Sequence, residues 1–207
     1  MTAPDFLPGV RPVIGVDAGT VSLREADHLV HRLADELGLP AGTFACTHLI
    51  REGERRGTAI SFAFEDSGAA EAAWRRLVRL GEPEAGAVLG GRECGPAEAV
   101  RAAGTAAGEH AGRRGGRAVL YPGVEHLTGT VTLAELLSLT AIDEVTVVGR
   151  PSVPGQGPDP ATPVLTGDHV RPEWRAGRLT LALVPAAGDR LAPFEVPNPT
   201  PCCADHG

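Results

Sequence analysis

The residues PVIGVDAGTVSLREADHLVHRLADELG, numbers 12–38, decide how the first half of the chain folds. The apolar run 12–16 predicts a buried strand that ends in a turn. Ser22 and Glu25 follow with the spacing of a capping box, in which each side chain binds a backbone N–H near the other residue. Apolar residues then recur at helical spacing, and Gly38 stands where a left-handed cap is expected. We therefore predict a strand followed by an amphipathic helix.

Two β-type segments and a second helix follow. The segments TFACTHLI (43–50) and TAISFAF (58–64) are separated by a polar, glycine-containing stretch that reads as a hairpin loop. Apolar residues at helical spacing predict a second helix over 68–80. Residues 1–81 are therefore predicted to form a βαββα unit.

The rest of the chain divides by composition. Residues 82–116 are rich in Ala and Gly and are predicted to be a linker or mobile insertion, with at most one weak helix near 96–107. Residues 117–196 are predicted to form a mixed α/β unit that shares or extends the first sheet, and 197–207 form a Pro-rich tail with Cys and His. A strand at 117–121 after the βαββα unit gives the order of a ferredoxin-like sandwich with a long insertion. The alternative is a mixed sheet across both halves, and the fold class is α/β (α+β) in either case.

Composition excludes several classes of function. Of the 207 residues, 43% are hydrophobic and 22% are charged, as in globular proteins. All 19 basic residues are arginine, so a phosphate-loop lysine and lysine Schiff-base chemistry are excluded. The net charge of −7 disfavours binding to nucleic acid or to an anionic membrane. With no long apolar run and no apolar signal core, the expected location is the cytoplasm.

The tail PCCADHG (201–207) concentrates metal-binding side chains. Cys202, Cys203 and His206 could hold a thiolate-binding metal such as zinc or copper, because thiolates and imidazoles prefer such ions. Over about four residues the segment resembles the mobile Cys-Cys tail of the mercuric reductases. The Gly-rich flavin motif and the redox Cys pair of that family are absent from this sequence, so its function is not carried over. The alternative is a tail whose cysteines have no role.

Cys46 and His48 form a second candidate for the same metal site. They lie two residues apart on a predicted strand and therefore share a face. In this hypothesis they join the ligands of the tail in one Cys/His site. In the alternative, Cys46 is a small buried hydrophobic residue and His48 forms a hydrogen bond at the edge of the core.

The turn before the first helix is a candidate cofactor-binding site at Gly19, Thr20 and Ser22. The stretch VIGVDAGT (13–20) resembles the first phosphate motif of the sugar-kinase and actin family of ATPases. That resemblance implies a magnesium-organising Asp17 and a turn that approaches phosphate, although the family continues into a strand where a helix is predicted here. Exposed amides at a helix start can also bind an anionic ligand. The alternative is an ordinary strand-to-helix turn.

Three functions from different classes remain open. The first is a cytoplasmic, non-enzymatic binding or regulatory module for a protein partner or small molecule. Its target is neither nucleic acid nor a membrane, and the module is compatible with assembly as a homo-oligomer. The second is a metal- or thiol-dependent protein that uses the Cys-Cys-x-x-His tail. The third is a small enzyme whose catalytic residues are unknown, because no nucleophile, base and orienting group can be named from spacing.

Overall fold

The computed structural model describes residues 11–52, 55–81, 84–149 and 157–196. It confirms the α/β class, with helices and strands in both parallel and antiparallel pairings. The chain divides into two compact units. Unit 1 contains the described residues up to Pro122 together with Pro172–Leu179, and unit 2 contains Gly123–Arg171 and the described residues from Thr180 onward.

The four helices are as follows: α1 Leu23–Leu37, α2 Ser67–Leu80, α3 Ala97–Ala111 and α4 Leu133–Leu139. The first six strands are β1 Val13–Asp17, β2 Phe44–Glu52, β3 Arg55–Ala63, β4 Gly86–Leu89, β5 Arg92–Cys94 and β6 Arg117–Leu120. The remaining six are β7 Thr130–Thr132, β8 Glu144–Val147, β9 Pro163–Leu165, β10 Glu173–Arg175, β11 Arg178–Ala186 and β12 Arg190–Pro193.

Local signals fix both ends of α1 and the start of α2. The predicted capping box before α1 is confirmed, since the Ser22 side chain accepts from the Glu25 amide and the Glu25 carboxylate accepts in return. Gly38 ends this helix in the left-handed conformation, with φ of 59°. Asp66 caps α2 by accepting from the amide of Ala69 at 2.9 Å. These contacts satisfy backbone groups that a helix end leaves unpaired.

The strands of unit 1 follow the order β5-β4-β1-β3-β2-β6-β10, with antiparallel neighbours. The strand that follows the βαββα order and pairs with β1 is β4, not the segment 117–121, which pairs with β2 as β6. Sequence patterns miss β4 because the strand has only four residues, GAVL, and lies in a glycine-rich stretch. The ferredoxin-like arrangement stays a prediction.

Helices cover both faces of this sheet. Helices α1 and α2 pack on one face over a core that includes Ile14, Ile60, Phe62 and Phe64. Alternation along the strands places the neighbouring residues on the other face, where α3 packs with its alanines. That helix lies within residues 82–116, where the sequence predicts a linker or mobile insertion. Gly104 and Gly108 lower the helix propensity of α3. The small side chains of α3 and the strand glycines Gly15 and Gly86 allow the helix to lie close to the sheet.

A buried ion pair ties α1 to β6. The guanidinium of Arg117 donates to both carboxylate oxygens of Asp27, at 2.6 and 3.1 Å. Both residues are classed as buried. Such a pair is costly to desolvate and very costly to break, because the remaining charge is left buried.

Unit 2 is built on strands with parallel and antiparallel neighbours. Strand β11 pairs in parallel with β8 and antiparallel with β12, β12 pairs in parallel with β9, and β9 pairs antiparallel with β7. A capping box lies at Thr132 and Glu135, where α4 begins. Within the residues that the structure describes, no helix is both long and apolar enough to cross a lipid bilayer.

Candidate functional site

A cluster of buried polar side chains lies between the sheet of unit 1 and α3. Cys46 and His48 share the face of β2 that α3 covers, as the alternation of strand residues predicts. Ser61 of β3 is paired directly opposite Cys46. His110 and Glu109 reach the same place from the last turn of α3.

One continuous chain of contacts joins these side chains. His48 Nδ1 lies 2.8 Å from Glu109 Oε2, and His48 Nε2 lies 2.8 Å from Ser61 Oγ. Ser61 Oγ lies 2.7 Å from His110 Nδ1. The other ring nitrogen of His110, Nε2, lies 3.9 Å from the sulfur of Cys46. The chain therefore runs from a carboxylate to a buried thiol through two imidazoles and one hydroxyl.

Burial controls the protonation of this cluster. Desolvation lowers the pKa of His110 to about 3, and electrostatic interactions with His48, Arg113 and Arg11 act in the same direction. The hydrogen bond from His48 lowers the pKa of Glu109. His110 is therefore neutral and Glu109 is ionised near neutral pH.

The Cys46 thiol is also neutral. Burial raises its pKa, and the indole N–H of Trp174 and the charge of Arg117 oppose that shift only in part. A thiolate is the reactive form of cysteine. Cys46 is therefore an unreactive thiol in this structure.

The bonds from Glu109 to His48 to Ser61 follow the order found in acid–histidine–serine triads. Ser61, however, is completely buried, and its hydroxyl is also bonded to His110. A substrate carbonyl cannot reach an oxygen that is enclosed in this way. The cluster therefore lacks an accessible serine nucleophile.

A pocket of about 220 Å³ adjoins the cluster. Its wall is formed by Arg11, Val13, Phe44, Ala63, His110, Ala111, Arg113 and Trp174, all in unit 1. His110 belongs both to the pocket and to the polar chain. A wider groove along α3 shares Arg11, Val13 and Ala111 with the pocket.

Two adjacent aromatic rings line this pocket, and an arginine lies near each ring. The guanidinium of Arg11 lies 5.8 Å from the Phe44 ring centroid, and that of Arg113 lies 4.9 Å from the Trp174 centroid. The Phe44 and Trp174 ring centroids are themselves 5.8 Å apart. Both arginines are within the distance at which a cation is attracted to an aromatic face.

The backbone is unusual at Arg113, which has φ of 48° in the turn after α3. A non-glycine residue in this left-handed region is strained by roughly 1–2 kcal/mol. Its carbonyl accepts a hydrogen bond from the amide of Gly177 at 3.0 Å, which holds the turn in place. The strained residue is one that lines the pocket, and backbone strain of this kind is concentrated at functional sites.

Trp174 has an unsatisfied donor. Its side chain is buried, and among the described residues its indole Nε1 finds no hydrogen-bond partner. The indole N–H acts on the Cys46 thiol, whose pKa it lowers, but it forms no regular hydrogen bond. Buried donors without partners are uncommon in native proteins.

The residues predicted to bind a cofactor are engaged within the protein. Gly19 donates to Asp17 at 3.1 Å, and the Thr20 hydroxyl donates to the carbonyl of Thr58 at 2.5 Å. Ser22 caps α1, and its own amide donates to the Glu25 carboxylate at 3.2 Å. Glu25 therefore occupies a donor that an anion at this turn would need.

The structure describes only two of the five predicted metal ligands, Cys46 and His48. Cys202, Cys203 and His206 lie outside the described residues. The structure brings Cys46 and His48 to the polar chain, where both ring nitrogens of His48 are already in hydrogen bonds. Within the described ranges, no three His, Cys, Asp or Glu side chains are grouped so that they could hold a metal ion.

Sequence patterns did not single out Ser61, Glu109, His110, Arg113 or Trp174. Glu109 and His110 are 61 and 49 positions from their partners on β2 and β3, so only the fold brings them together. The one local signal is an adjacent Glu-His pair followed by two arginines at the end of an otherwise Ala- and Gly-rich stretch.

Comparison with known proteins identifies no relative of this chain. The chain matches no protein-family model, no curated protein and no solved structure.

Proposed function

We propose that this protein is a non-enzymatic binding module for a small organic anion, which it holds in the pocket lined by Arg11, Phe44, Arg113 and Trp174. The observation that carries the proposal is that two guanidinium groups, each near the face of an aromatic ring, line one cavity. Guanidinium groups bind carboxylates and phosphates through charge-assisted hydrogen bonds. Aromatic faces favour a flat apolar group beside that anion.

The charge distribution supports an anionic ligand. The whole chain carries a net charge of −7, yet two cations face this pocket. Arg11 is 3.8 Å from Glu65 in an exposed pair, a kind of contact worth little in water. Within the described residues, Arg113 forms no ion pair. It is therefore available to bind a ligand.

The size of the pocket restricts the ligand. A volume of about 220 Å³ is below the roughly 300–1,000 Å³ of pockets for drug-sized molecules. A single ring that carries one carboxylate is the size of ligand that this volume supports. The adjoining groove leaves space for a substituent on that ring.

Calorimetric titration with benzoate, a flat aromatic carboxylate, tests this proposal. We expect saturable binding to the wild-type chain, and binding at least about tenfold weaker to Arg113→Gln, because one charge-assisted hydrogen bond is lost. Benzamide, which has nearly the same shape without the charge, is also expected to bind more weakly. Arg24→Gln, at an exposed site on α1, is the matched control and should bind benzoate normally. Equal affinity of wild type and Arg113→Gln, or no binding by either, would contradict the proposal.

The metal- or thiol-dependent function of Cys202, Cys203 and His206 stays a prediction, as does the cytoplasmic location. A truncation after Pro197 separates the two functions. Loss of benzoate binding on truncation would indicate that the tail contributes to the site, whereas normal binding would show that the pocket acts without it.

A further inference from the structure

We propose that Glu109 is a positioning residue for this pocket, because it sets the direction of every hydrogen bond in the chain from His48 through Ser61 to His110. The inference rests on the proposed function insofar as it concerns ligand binding. The direction of the hydrogen bonds follows from the polar cluster alone. Glu109 contributes to the pocket only through this chain.

The serine hydroxyl makes the direction a discrete choice. Ser61 Oγ is within 2.8 Å of a nitrogen from each of two imidazole rings. A hydroxyl has a single proton to donate. When both rings are neutral and the hydroxyl proton is used in one of these two bonds, one ring accepts from Ser61 and the other donates to it. The tautomer of His48 therefore decides the tautomer of His110.

Glu109 fixes the first link of the chain. An ionised carboxylate only accepts hydrogen bonds, so His48 Nδ1 must carry a proton. His48 Nε2 is then a lone pair that accepts from Ser61. Ser61 in turn accepts from His110 Nδ1, which leaves His110 Nε2 as a lone pair toward the thiol of Cys46.

The other end of this row of hydrogen bonds, at Cys46, favours the same direction. Trp174 carries an indole N–H, which can only donate, and this group favours the charged form of the Cys46 thiol by lowering its pKa. With His110 Nε2 as a lone pair, the Cys46 S–H can point to His110 while its sulfur faces the indole. In the reversed direction the sulfur would face two N–H groups, and its own proton would have no acceptor among them. An acceptor-only group and a donor-only group thus define one favourable direction.

The direction of these hydrogen bonds affects two residues of the pocket, because His110 and Trp174 both belong to its wall. Glu109 itself keeps a side-chain exposure of 38%, so its replacement need not disrupt the core. A change in charge type at Glu109 is therefore expected to alter His110 and Trp174 in the pocket, although Glu109 does not line the pocket itself.

Nitrogen-15 NMR of the histidine side chains, recorded without ligand at pH 8, tests the inference. This pH is above the ordinary range of imidazole protonation. In wild type we expect the proton of His110 on Nδ1. In Glu109→Lys, which replaces an acceptor with a donor, we expect it on Nε2. Glu109→Asp retains the carboxylate and should keep the wild-type tautomer, and Glu98→Gln, at an exposed site on α3, is the surface control.

A double variant separates transmission from a general disturbance. Ser61→Ala removes the link, so Glu109→Lys should no longer change the His110 tautomer in that background. If Ser61→Ala does not fold, Ser61→Cys keeps a side chain of similar size with a weak donor. A His110 tautomer that is the same in wild type and Glu109→Lys would overturn the inference, whatever the serine variants do.

Benzoate affinity gives the functional readout. We expect Glu109→Lys to bind benzoate at least threefold more weakly than wild type and Glu109→Asp to bind it nearly as well. Unaltered affinity in Glu109→Lys, with a changed tautomer, would overturn the role of Glu109 in positioning the pocket. Absence of benzoate binding in wild type would instead overturn the proposed function and leave the tautomer result standing.

Discussion

Gly15 in β1 lies directly against the backbone of Ala103 in α3. A β-carbon on Gly15 would stand 2.0 Å from the carbonyl oxygen of Ala103, a distance at which one of the two elements must move. This contact holds α3 close to the sheet and thereby places Glu109 and His110 beside His48 and Ser61.

Gly15→Ala is therefore expected to destabilise unit 1. Overpacking of a tight core costs typically about 1–3 kcal/mol, and a backbone contact leaves little room for relief. Gly104→Ala is the matched control, because its β-carbon would meet nothing within 4 Å and alanine favours a helix by about 1 kcal/mol. Chemical denaturation should show a loss of stability for the first variant and a gain for the second. Equal effects would contradict the close packing of α3.

Asp27→Asn tests the buried ion pair with Arg117. We expect the free energy of unfolding to fall by about 3–5 kcal/mol, because the substitution leaves a buried guanidinium without its charged partner. Asp35→Asn, at an exposed position of the same helix, should change stability by less than about 0.5 kcal/mol. Similar losses in the two variants, measured by urea denaturation, would contradict the importance of this pair.

His110 makes stability depend on pH in a predictable direction. Its pKa in the folded protein is about 3, below the ordinary value of 6.5, so the unfolded chain takes up this proton first as the pH falls. The contribution of His110 is present above pH 6.5 and is lost toward pH 3, at about 1.4 kcal/mol per pH unit.

Denaturation of wild type and His110→Gln between pH 7 and 4 measures this effect. The wild type should lose stability more steeply than His110→Gln by about 1.4 kcal/mol per pH unit. His28→Gln removes an exposed histidine and should retain the steep wild-type dependence. An equally steep dependence in His110→Gln would show that His110 is not the buried neutral group described here.

Arg113→Gly is expected to separate binding from stability. Glycine relieves left-handed strain of roughly 1–2 kcal/mol, which offsets the lost contact with Trp174 and the greater freedom of the unfolded chain. The free energy of unfolding should change by less than about 1 kcal/mol while benzoate binding is lost. Ala176→Gly, at another left-handed residue with φ of 48°, should leave binding unchanged. Retained binding in Arg113→Gly would contradict the role of this arginine.

The elements predicted best are those whose signals are local. Ser22, Glu25 and Gly38 fix the ends of α1 through contacts within a few residues, so the sequence alone predicts that helix. Helix α3 lacks such signals: its Pro96 cap makes no side-chain hydrogen bond, and two glycines lie within the helix. Its stability comes from close contact with strands that are distant in sequence, which periodicity cannot detect.

In the candidate site, too, only the features that depend on local sequence could be predicted. That Cys46 and His48 share a face follows from the alternation of any strand. Their partners could not be identified, because Ser61 resembles other small residues of β3 and His110 comes from a segment without a strong helical pattern. The pocket depends on a further long-range contact, in which Trp174 approaches Phe44 from the other end of the chain.

The most direct test of the account is a benzoate titration followed through the two indole N–H signals in a proton–nitrogen NMR spectrum. Trp174 lines the pocket, whereas Trp74 belongs to α2 on the opposite face of the sheet, under Arg92. We predict that the Trp174 signal shifts and saturates while the Trp74 signal stays in place. A Trp174 signal that does not move, or that moves only together with that of Trp74, would contradict binding of an organic anion in this pocket.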